Sequence, residues 1–527
     1  MMKTRNLLLV MLFVGIVAKA QNIEVSGVQS GVWDADTVRV IGDVVVDKSL
    51  EILPGTVVLF DGFYSISVIK DASFTAQGTE ADSIVFTVAD TLGLCHYNSP
   101  KGGWNGFHLE NAGKVSFDYC VLEYAKASDT LDMSGGAMRI ENCDEVAVTH
   151  STLRFNRARQ HGGAISADDS HVVMMDCQVN DNLVYYDDGL YYRYGGALKF
   201  FKCDVELRVM DILRNQGDGC IGGAISFDSC SVVLDRAVFA DNIGLNGGGL
   251  YMMRSNHLPG RLSNLLFDNN RSHHFAGGLA FADCSPEVYN ILVTNNQSEG
   301  VNCAGIFFYQ YASPKLTNCI VYGNYNDSGA VFDETAQMWV WTFEDDAPEF
   351  RNCLIEGGAK YITNAEYIKV FEDILEDDPK FVDVEHHDFR LTEGSPCRDA
   401  GNEKLPEDLA EGFDLIGIRR VSNQRVDIGP YEYSAALVSQ YLGGSSEAKL
   451  VGNPLSDKSR VVFGDEWDGD VMVTIYSING RQAAKKACHL TKATSLELGA
   501  LVEPLPAGVY LIEVAGPNRT LTLKAVK

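Results

Sequence analysis

The sequence has few positive charges and lacks both a second long hydrophobic run and helical periodicity. Its 43 Lys and Arg residues stand against 71 Asp and Glu, a net charge of −28. Such a surface repels nucleic acids and other polyanions, so we expect no nucleic-acid partner. After residue 20 no stretch approaches the roughly 20 apolar residues of a membrane-spanning helix. No Cys-x-x-Cys or comparable His/Cys spacing occurs, which disfavours a zinc cluster.

The one long apolar run stands at the beginning of the chain. Lys3 and Arg5 precede the apolar residues 7–17, and Ala18-Lys19-Ala20 follows them. This order is typical of a secretory signal peptide with an A-x-A cleavage signal, and we predict cleavage between Ala20 and Gln21. The remaining chain is then expected to be secreted or to lie on the outer-membrane cell surface.

An internal repeat dominates the rest of the sequence. Gly222-Gly223-Ala224 opens a nine-residue pattern that ends at Cys230, and similar or degenerate copies recur in steps of 24 to 33 residues. The other copies begin at Gly135, Gly162, Gly195, Gly247, Ala276, Cys303 and Asp327. A period of this length indicates a solenoid or another array.

Within each copy, apolar residues come in groups spaced two apart, as in Ile225 and Phe227, and steps of three residues separate the groups. Alternation predicts strands with one buried face, and each three-residue step predicts a corner. Each copy should thus give about three short strands, which indicates a parallel β-helix. Asparagine tolerates the left-handed backbone of turns and can form amide ladders when stacked. A structural ladder is predicted for Asn156, Asn182, Asn215, Asn242, Asn270, Asn296 and Asn324.

The Gly-Gly-Ala and Asn marks over about residues 130–335 resemble the polymorphic outer-membrane type of right-handed parallel β-helix. The resemblance and the preference of parallel crossovers both imply right-handedness. Of the 13 cysteines, several share repeat positions, so stacked coils would bring them into columns. We favour buried thiols over disulfides there. The cysteines concerned are Cys143, Cys203, Cys230 and Cys284 in one column and Cys177 and Cys319 in another.

Two further resemblances concern the end of the chain. Ser395-Pro396 to Asp399-Ala400-Gly401 resembles the closing segment of choice-of-anchor β-helix proteins, and a cap there would cover the solenoid end. Asn453-Pro454, Gly480-Arg481 and Leu505-Pro506-Ala507-Gly508 closely resemble the type-A C-terminal sorting domain of the type IX secretion system of Bacteroidota. That resemblance implies export by the type IX machinery, removal of the domain and attachment to surface lipopolysaccharide.

We therefore predict an all-β protein, a right-handed parallel β-helix solenoid followed by a small C-terminal β-sandwich. Its expected parts are a signal peptide at 1–20, the β-helix at 21–376, a cap segment at 377–433, a linker at 434–449 and the sorting domain at 450–527.

Binding sites in solenoids often lie where loops are inserted between repeats. Twelve residues separate Asn182 from Gly195, and their tyrosines and aspartates suit sugar stacking and hydrogen bonding as well as packing on the outer wall. Two tryptophans further on would share a strand face, where packing against a neighbouring coil is favoured. The candidate ligand-binding residues are Tyr185, Tyr186, Asp187, Asp188, Tyr191, Tyr192, Arg193, Trp339 and Trp341.

No residue cluster matches a known catalytic or metal motif. Asp168-Asp169 with His171 and Asp187-Asp188 with Arg193 are two such clusters, and Arg139 and Lys199, at the same repeat position, should point outward and add a basic strip. The sequence favours a secreted or surface scaffold that binds a polysaccharide or a host surface ligand without catalysis. The alternative is a polysaccharide lyase or glycoside hydrolase acting in a groove. No cofactor is predicted, with Ca²⁺ left open because it could bridge an acidic wall to uronates.

Overall fold

The computed structural model describes residues 20–96, 99–128, 133–185, 193–300, 303–326, 337–343, 346–420 and 425–434. It also describes 448–451, 460–463, 469–477, 482–490, 495–502, 505, 509–515 and 520–526. The described residues between Ala20 and Glu372 form a right-handed parallel β-helix, which confirms the predicted fold class. Successive coils pair in parallel register, and each inward side chain packs on its equivalents in neighbouring coils.

A regular coil contributes four short strands, one more than the repeat pattern predicts, and equivalent strands stack along the axis. We call these four rows the first to fourth stacks. Two long strands open the helix, at Ala20–Trp33 and Ala35–Ile52. The first stack comprises Ile66–Ile69, Phe107–Glu110, Met138–Glu141, Ile165–Asp168, Leu198–Phe201, Ile225–Asp228, Leu250–Met253, Leu279–Ala282, Ile306–Tyr309, Met338–Trp341 and Ile362–Thr363.

The second and third stacks run together in four coils, where one strand serves both. The second stack comprises Ser73–Gln77, Lys114–Asp118, Glu145–Thr149, Glu287–Tyr289, Lys315–Thr317, Glu349–Arg351 and Val370–Glu372. The third comprises Val57–Phe60, Ile84–Val88, Cys120–Glu123, Thr152–Arg154, Leu292–Thr294, Ile320–Tyr322 and Leu354–Ile355. The strands shared by both are His171–Asn180, Asp204–Leu213, Ser231–Ala240 and Gly260–Asp268.

The fourth stack follows the predicted asparagines and forms a sheet of its own. Its strands are short because the chain turns again at the glycine corner a few residues later. They are Lys126–Ala127, Arg157–Ala158, Leu183–Val184, Arg193–Tyr194, Gln216–Ile221, Ile243–Asn246, Arg271–Phe275, Gln297–Ser298 and Tyr325–Asn326.

The paired glycines at the start of each coil form the corner between the fourth and first stacks. Gly222 has a φ of 79°, in the left-handed region, and a Cβ on Gly223 would lie 2.3 Å from the carbonyl oxygen of Gly248. Only glycine adopts the left-handed backbone at the first position without strain and leaves room for the next coil at the second. The copy predicted at Asp327 is displaced, because Ile306 pairs with Met338. Asp327 itself lies outside the described residues.

The predicted asparagine ladder is present in the core. From Asn156 to Asn324, each side-chain Nδ2 donates to the Oδ1 of the next asparagine at 2.9–3.1 Å. Each acceptor Oδ1 also receives the backbone N–H of the preceding ladder residue. Gln337 ends the ladder by accepting from Asn324 Nδ2 at 2.8 Å. Because these amides are hydrogen-bonded to one another, their polar atoms are satisfied although they are buried.

The backbone reason that we gave for the asparagines is wrong. The left-handed residue is the one that precedes each ladder asparagine, such as Phe155, Asp181 or Arg214, with φ between 52° and 73° across the series. The asparagine is therefore selected for its side-chain amide, and the turn is made by its neighbour. The preceding side chain points outward at a corner, which is why its chemical type varies.

The cysteines from Cys95 to Cys397 form no disulfide, and all of them except Cys95 are buried. Cys203 donates its backbone N–H to the sulfur of Cys230 at 3.4 Å, and Cys319 does the same to Cys353. Serine replaces cysteine in the same columns, as at Ser170 beneath Cys143. These columns agree with the predicted thiol ladders.

The segment that we expected to cap the solenoid end lies instead along its side in the described residues. Its apolar side chains pack on outward residues of the third stack, which are Val238, Leu266, Leu292, Ile320 and Leu354. Buried Arg420 donates to Asn264 on the wall and to Glu432 within the segment. Burial raises the pKa of Glu432 to about 8, against the opposing effect of the Arg420 charge. The outward third-stack residues are therefore apolar in the coils that this segment covers.

Residues 377–433, which we call the closing segment, contain little regular structure among their described residues. It contains the antiparallel strands Phe381–Asp383 and Asp388–Leu391 and a short helix, Glu407–Ala410. The 3-10 turns Gly358–Tyr361 and Ala365–Tyr367 lie in the last coil, and Val384–His386 follows the first closing strand.

The C-terminal region has two antiparallel sheets around a separate core, in agreement with the predicted small sandwich. One sheet contains Ala448–Val451, Arg460–Phe463 and Ser495–Glu497. The other contains Gln482–Leu490, Gly469–Ser477, Val509–Ala515 and Thr520–Val526, and a short helix spans Gly499–Val502. Among the described residues, no helix has the length and apolar character needed to cross a bilayer.

Candidate functional site

The outward side chains of the first stack lie on one side of the β-helix, which we call the first-stack face. In its middle, Ser226, Ala280 and Phe307 are buried by neighbouring side chains. Alternation along each strand sends two residues per coil to this face, and parallel register aligns them in two columns. One column contains Arg139, Ser166, Lys199, Ser226, Tyr251, Ala280, Phe307 and Trp339. The other contains Glu141, Asp168, Phe201, Asp228, Met253, Ala282, Tyr309 and Trp341. The face changes from charged to aromatic along the axis.

A pocket of about 320 Å³ opens at the charged end of this face. Strands of three coils form its floor, and residues from the corners between the fourth and first stacks form its wall. The lining residues are Met133, Ser134, Arg139, Glu141, Gln160, His161, Ser166, Asp168 and Lys199. Bridges from His161 to Ser134 and to Tyr194 hold the wall in parallel register.

Two ion pairs cross the floor of this polar pocket. Arg139 donates from Nε and Nη2 to Glu141 Oε1 at 2.8 and 2.6 Å. Lys199 Nζ donates to Asp168 Oδ1 at 2.5 Å, and its side chain is only 11% exposed. The four charges therefore cancel within the pocket, and each carboxylate keeps its second oxygen available.

The wall residue His161 is neutral at physiological pH. Burial, with smaller contributions from the positive charges of Lys199 and Arg193, lowers its pKa to about 3. Its Nδ1 accepts the backbone N–H of Tyr194 at 3.2 Å. A neutral imidazole that accepts at Nδ1 carries its proton on Nε2, so His161 adds no charge to the pocket.

The aromatic end of the first-stack face consists of Tyr309, Tyr311, Trp339, Trp341 and Phe343, which we call the aromatic surface. The two tryptophan rings stack with centroids 5.2 Å apart and planes 17° apart. Tyr309 meets Trp341 edge-on at 5.7 Å, and Tyr311 lies 5.0 Å from Phe343. Trp341, Phe343 and Tyr311 are 50%, 53% and 47% exposed, so the rings are open to a ligand.

The predicted binding residues divide between accessible and buried positions. Trp339 and Trp341 share a strand face as expected, and Trp339 also packs 5.5 Å from Phe307 of the neighbouring coil. Tyr185 and Arg193, at the two ends of the long insertion, are only 6% and 3% exposed. The Tyr185 hydroxyl donates to the carbonyl of Leu94, so this ring is committed to packing. The predicted residues Tyr186, Asp187, Asp188, Tyr191 and Tyr192 lie outside the described residues.

Among the described residues, the cluster of Asp168-Asp169 with His171 does not assemble as one group, and Asp187 and Asp188 of the other cluster lie outside the described residues. Asp168 faces the polar pocket, but Asp169 occupies a left-handed turn and His171 begins the next strand. His273 and His387 each pair with a carboxylate, of Glu299 and Asp268 respectively. Across the described chain, no group of three or more His, Cys, Asp or Glu side chains could hold a metal ion.

Sequence reasoning missed the pocket wall. The outward parity of Arg139 and Lys199 predicted the two cations on one face, and the structure places both there. Ser134, Gln160 and His161 belong to corner segments of variable length, where the repeat gives no register. The carboxylates Glu141 and Asp168 follow the same parity as the cations and could have been found by applying it to the second outward position.

A family model described as a right handed beta helix region matches residues 208–366. This range contains the aromatic surface and ends before the closing segment, while the polar pocket lies on the N-terminal side of it. No curated protein resembles the chain closely enough to count as a match.

Proposed function

We propose that the protein is an exported β-helix scaffold that binds a polysaccharide along its first-stack face. The observation that carries this proposal is the aromatic surface, where three rings are about half exposed, that of Trp341 at the end of a strand and those of Tyr311 and Phe343 just beyond strand ends. Large exposed aromatic patches on soluble proteins commonly mark interaction sites. Tyrosine and tryptophan rings offer an apolar face for the C–H side of a sugar and a polar edge for its hydroxyls.

The shape of the face also favours an extended polymer. The outward columns run parallel to the solenoid axis, and successive coils lie ~4.8 Å apart. The polar pocket and the aromatic surface share the same columns, so a linear chain along the axis could meet both. Between them it would pass over the side chains that bury Ser226, Ala280 and Phe307. A globular partner would cover the aromatic surface without using this alignment.

The alternative is a polysaccharide-degrading enzyme, and one observation supports it. Glu141 and Asp168 are register neighbours, so their α-carbons are ~4.8 Å apart. Retaining glycosidases hold two carboxyl groups ~5–5.5 Å apart, and side chains of register neighbours can reach such a spacing. Here each carboxylate is held in an ion pair, Glu141 by Arg139 and Asp168 by Lys199, an arrangement that favours binding over catalysis.

The test is binding of the full chain to a panel of neutral and acidic polysaccharides, with reducing ends and unsaturated products followed in parallel. Trp341→Ala should weaken the best ligand by about tenfold, equivalent to ~1.4 kcal/mol. Phe413→Ala is the matched control, because Phe413 is 45% exposed but lies in the closing segment. Equal binding by Trp341→Ala and wild type would contradict the proposal, and sustained turnover would favour the enzyme.

We also propose that residues 450–527 address the chain to the type IX secretion machinery. Their motifs and antiparallel sheets support this, as does the signal-like sequence before Gln21. Deleting residues 450–527 should retain the protein in the periplasm of a type IX-competent host, whereas a Phe413→Ala control should be exported. Mass spectrometry of the exported form should show Gln21 as its first residue, loss of the sorting domain and a lipopolysaccharide-linked mass. Normal export without residues 450–527 would refute the assignment.

A further inference from the structure

The polar pocket has the volume and lining of a small-molecule site. Its ~320 Å³ lies at the lower end of the range for ligand pockets. Met133 is the one apolar residue among the lining side chains, so a wholly apolar ligand would leave the polar groups unpaired. The ligand should be small and polar.

The charges of the pocket restrict the class of ligand further. Arg139 and Lys199 oppose Glu141 and Asp168, and His161 is neutral. A phosphate or carboxylate ligand would meet two carboxylates, and a metal ion or amine would meet two cations. The pocket therefore favours neither an anionic nor a cationic ligand. We expect its ligand to be uncharged.

The hydrogen-bonding groups match hydroxyls. Glu141 Oε2 and Asp168 Oδ2 are acceptors without a hydrogen bond among the described residues, and Lys199 retains donors beyond its bond to Asp168. The Ser166 hydroxyl and the Gln160 side-chain amide make no hydrogen bond there either. Hydroxyl groups both donate and accept, so a polyol satisfies such a mixed set better than a molecule with donors or acceptors alone.

We propose that the polar pocket binds one neutral sugar unit in the pyranose form, which rests on the proposed function of the first-stack face. Glu141 and Asp168 accept from vicinal hydroxyls, Lys199 donates to a ring or hydroxyl oxygen, and Gln160 closes the wall. The pocket lies five coil steps from Trp339, or ~24 Å. The polar pocket selects the type of sugar, and the aromatic surface binds the rest of the polysaccharide.

The experiment measures binding of the full chain to glucose, galactose, mannose and N-acetylglucosamine, and to glucuronate and galacturonate, by saturation-transfer NMR. Ser166→Leu fills the pocket at a column position where other coils carry Tyr251 and Phe307. Ser67→Leu is the matched control, since Ser67 faces outward in the same stack but does not line the pocket. Gln160→Ala is a milder second variant that removes one amide.

At least one neutral sugar should bind the wild type. Its Kd should rise about tenfold or more in Ser166→Leu and about threefold in Gln160→Ala, and should not change in Ser67→Leu or Trp341→Ala. Absence of neutral-sugar binding, tighter binding of the uronates or an unaffected Ser166→Leu would overturn the proposal. If Trp341→Ala weakens polymer binding and Ser166→Leu does not, the pocket assignment fails alone. If neutral sugars bind at the pocket but no polysaccharide binds, the proposed function fails alone.

Discussion

The polar pocket and the aromatic surface are built on the same backbone and differ only in their outward side chains and corners. Arg139, Ser166 and Lys199 occupy the column that Phe307 and Trp339 occupy farther along the axis. Inside the helix, the same strands carry similar apolar residues, from Ile140 to Phe308 and Val340. The repeat therefore constrains the inner half of each strand and leaves the outer half open to acquire different chemistry.

The polar pocket and the aromatic surface share one inner scaffold. A substitution in that scaffold should therefore destabilise both. Asn215→Ala removes the acceptor for the backbone N–H and the Nδ2 of Asn182. Buried donors without partners should lower the free energy of unfolding by ~2–3 kcal/mol. Urea unfolding measures the loss, and exposed Asn22→Ala serves as the control. Unchanged stability would mean that the ladder contributes little.

Low pH should destabilise the polar pocket more than the aromatic surface. The pKa of His161 is lowered to about 3, below the value of about 6.5 in an unfolded chain. For such a base the stabilisation is present above pH 6.5 and is lost as the pH falls towards 3.

Hydrogen exchange at pH 7 and 4.5, corrected for the intrinsic rate, should show Ile165–Asp168 losing up to ~2 kcal/mol of protection. Ile306–Tyr309 should be unaffected by this group. In His161→Gln the effect of pH on the protection of Ile165–Asp168 should disappear. Equal loss at both ends in wild type and variant would contradict the assignment of the effect to His161.

If one polymer spans both ends, affinity should depend on chain length. Oligosaccharides longer than the ~24 Å between the two sites should bind about tenfold or more tightly than shorter ones. The gain should vanish in Ser166→Leu and in Trp341→Ala alike, as titration calorimetry would show. A smooth increase with length that survives in Ser166→Leu would show that the two ends act separately.

The smallest effect is expected at the edge of the aromatic surface. Tyr309 contacts Trp341 edge-on, so Tyr309→Ser removes a supporting ring and leaves the exposed tryptophan in place. Polymer binding should weaken about threefold, in line with ~0.5–1 kcal/mol for one aromatic contact. Binding assays with Phe413→Ala as control measure it. A loss as large as that of Trp341→Ala would make Tyr309 a direct ligand contact.

Much of the β-helix was predictable because a repeat shows the same physical requirement many times. The glycine corner, the inward positions and the asparagine column recur in several copies, and burial in the structure agrees with each. The fourth stack was missed since its strands, such as Arg157–Ala158, are too short to show alternation. The end of the ladder at Gln337 was also missed, because insertions before it displace the coil.

The candidate sites were only partly predictable. Trp339 and Trp341 were recognised from their spacing of two, which places both rings on one face of a strand. Tyr185 looked like a binding residue, yet its hydroxyl bonds to Leu94, which lies far away in the sequence. Contacts of this kind join segments outside the repeat, and no local pattern encodes them.

By itself, the sequence determined the solenoid, its inner ladders and the parity that sends Arg139 and Lys199 outward, because each depends on spacing along one chain. Tertiary structure alone decided which outward residues meet. The corners that bring Gln160 and His161 to the pocket have variable length, and the closing segment reaches back to Asn264 through Arg420. Packing between distant segments determines such contacts, since their energy depends on three-dimensional fit.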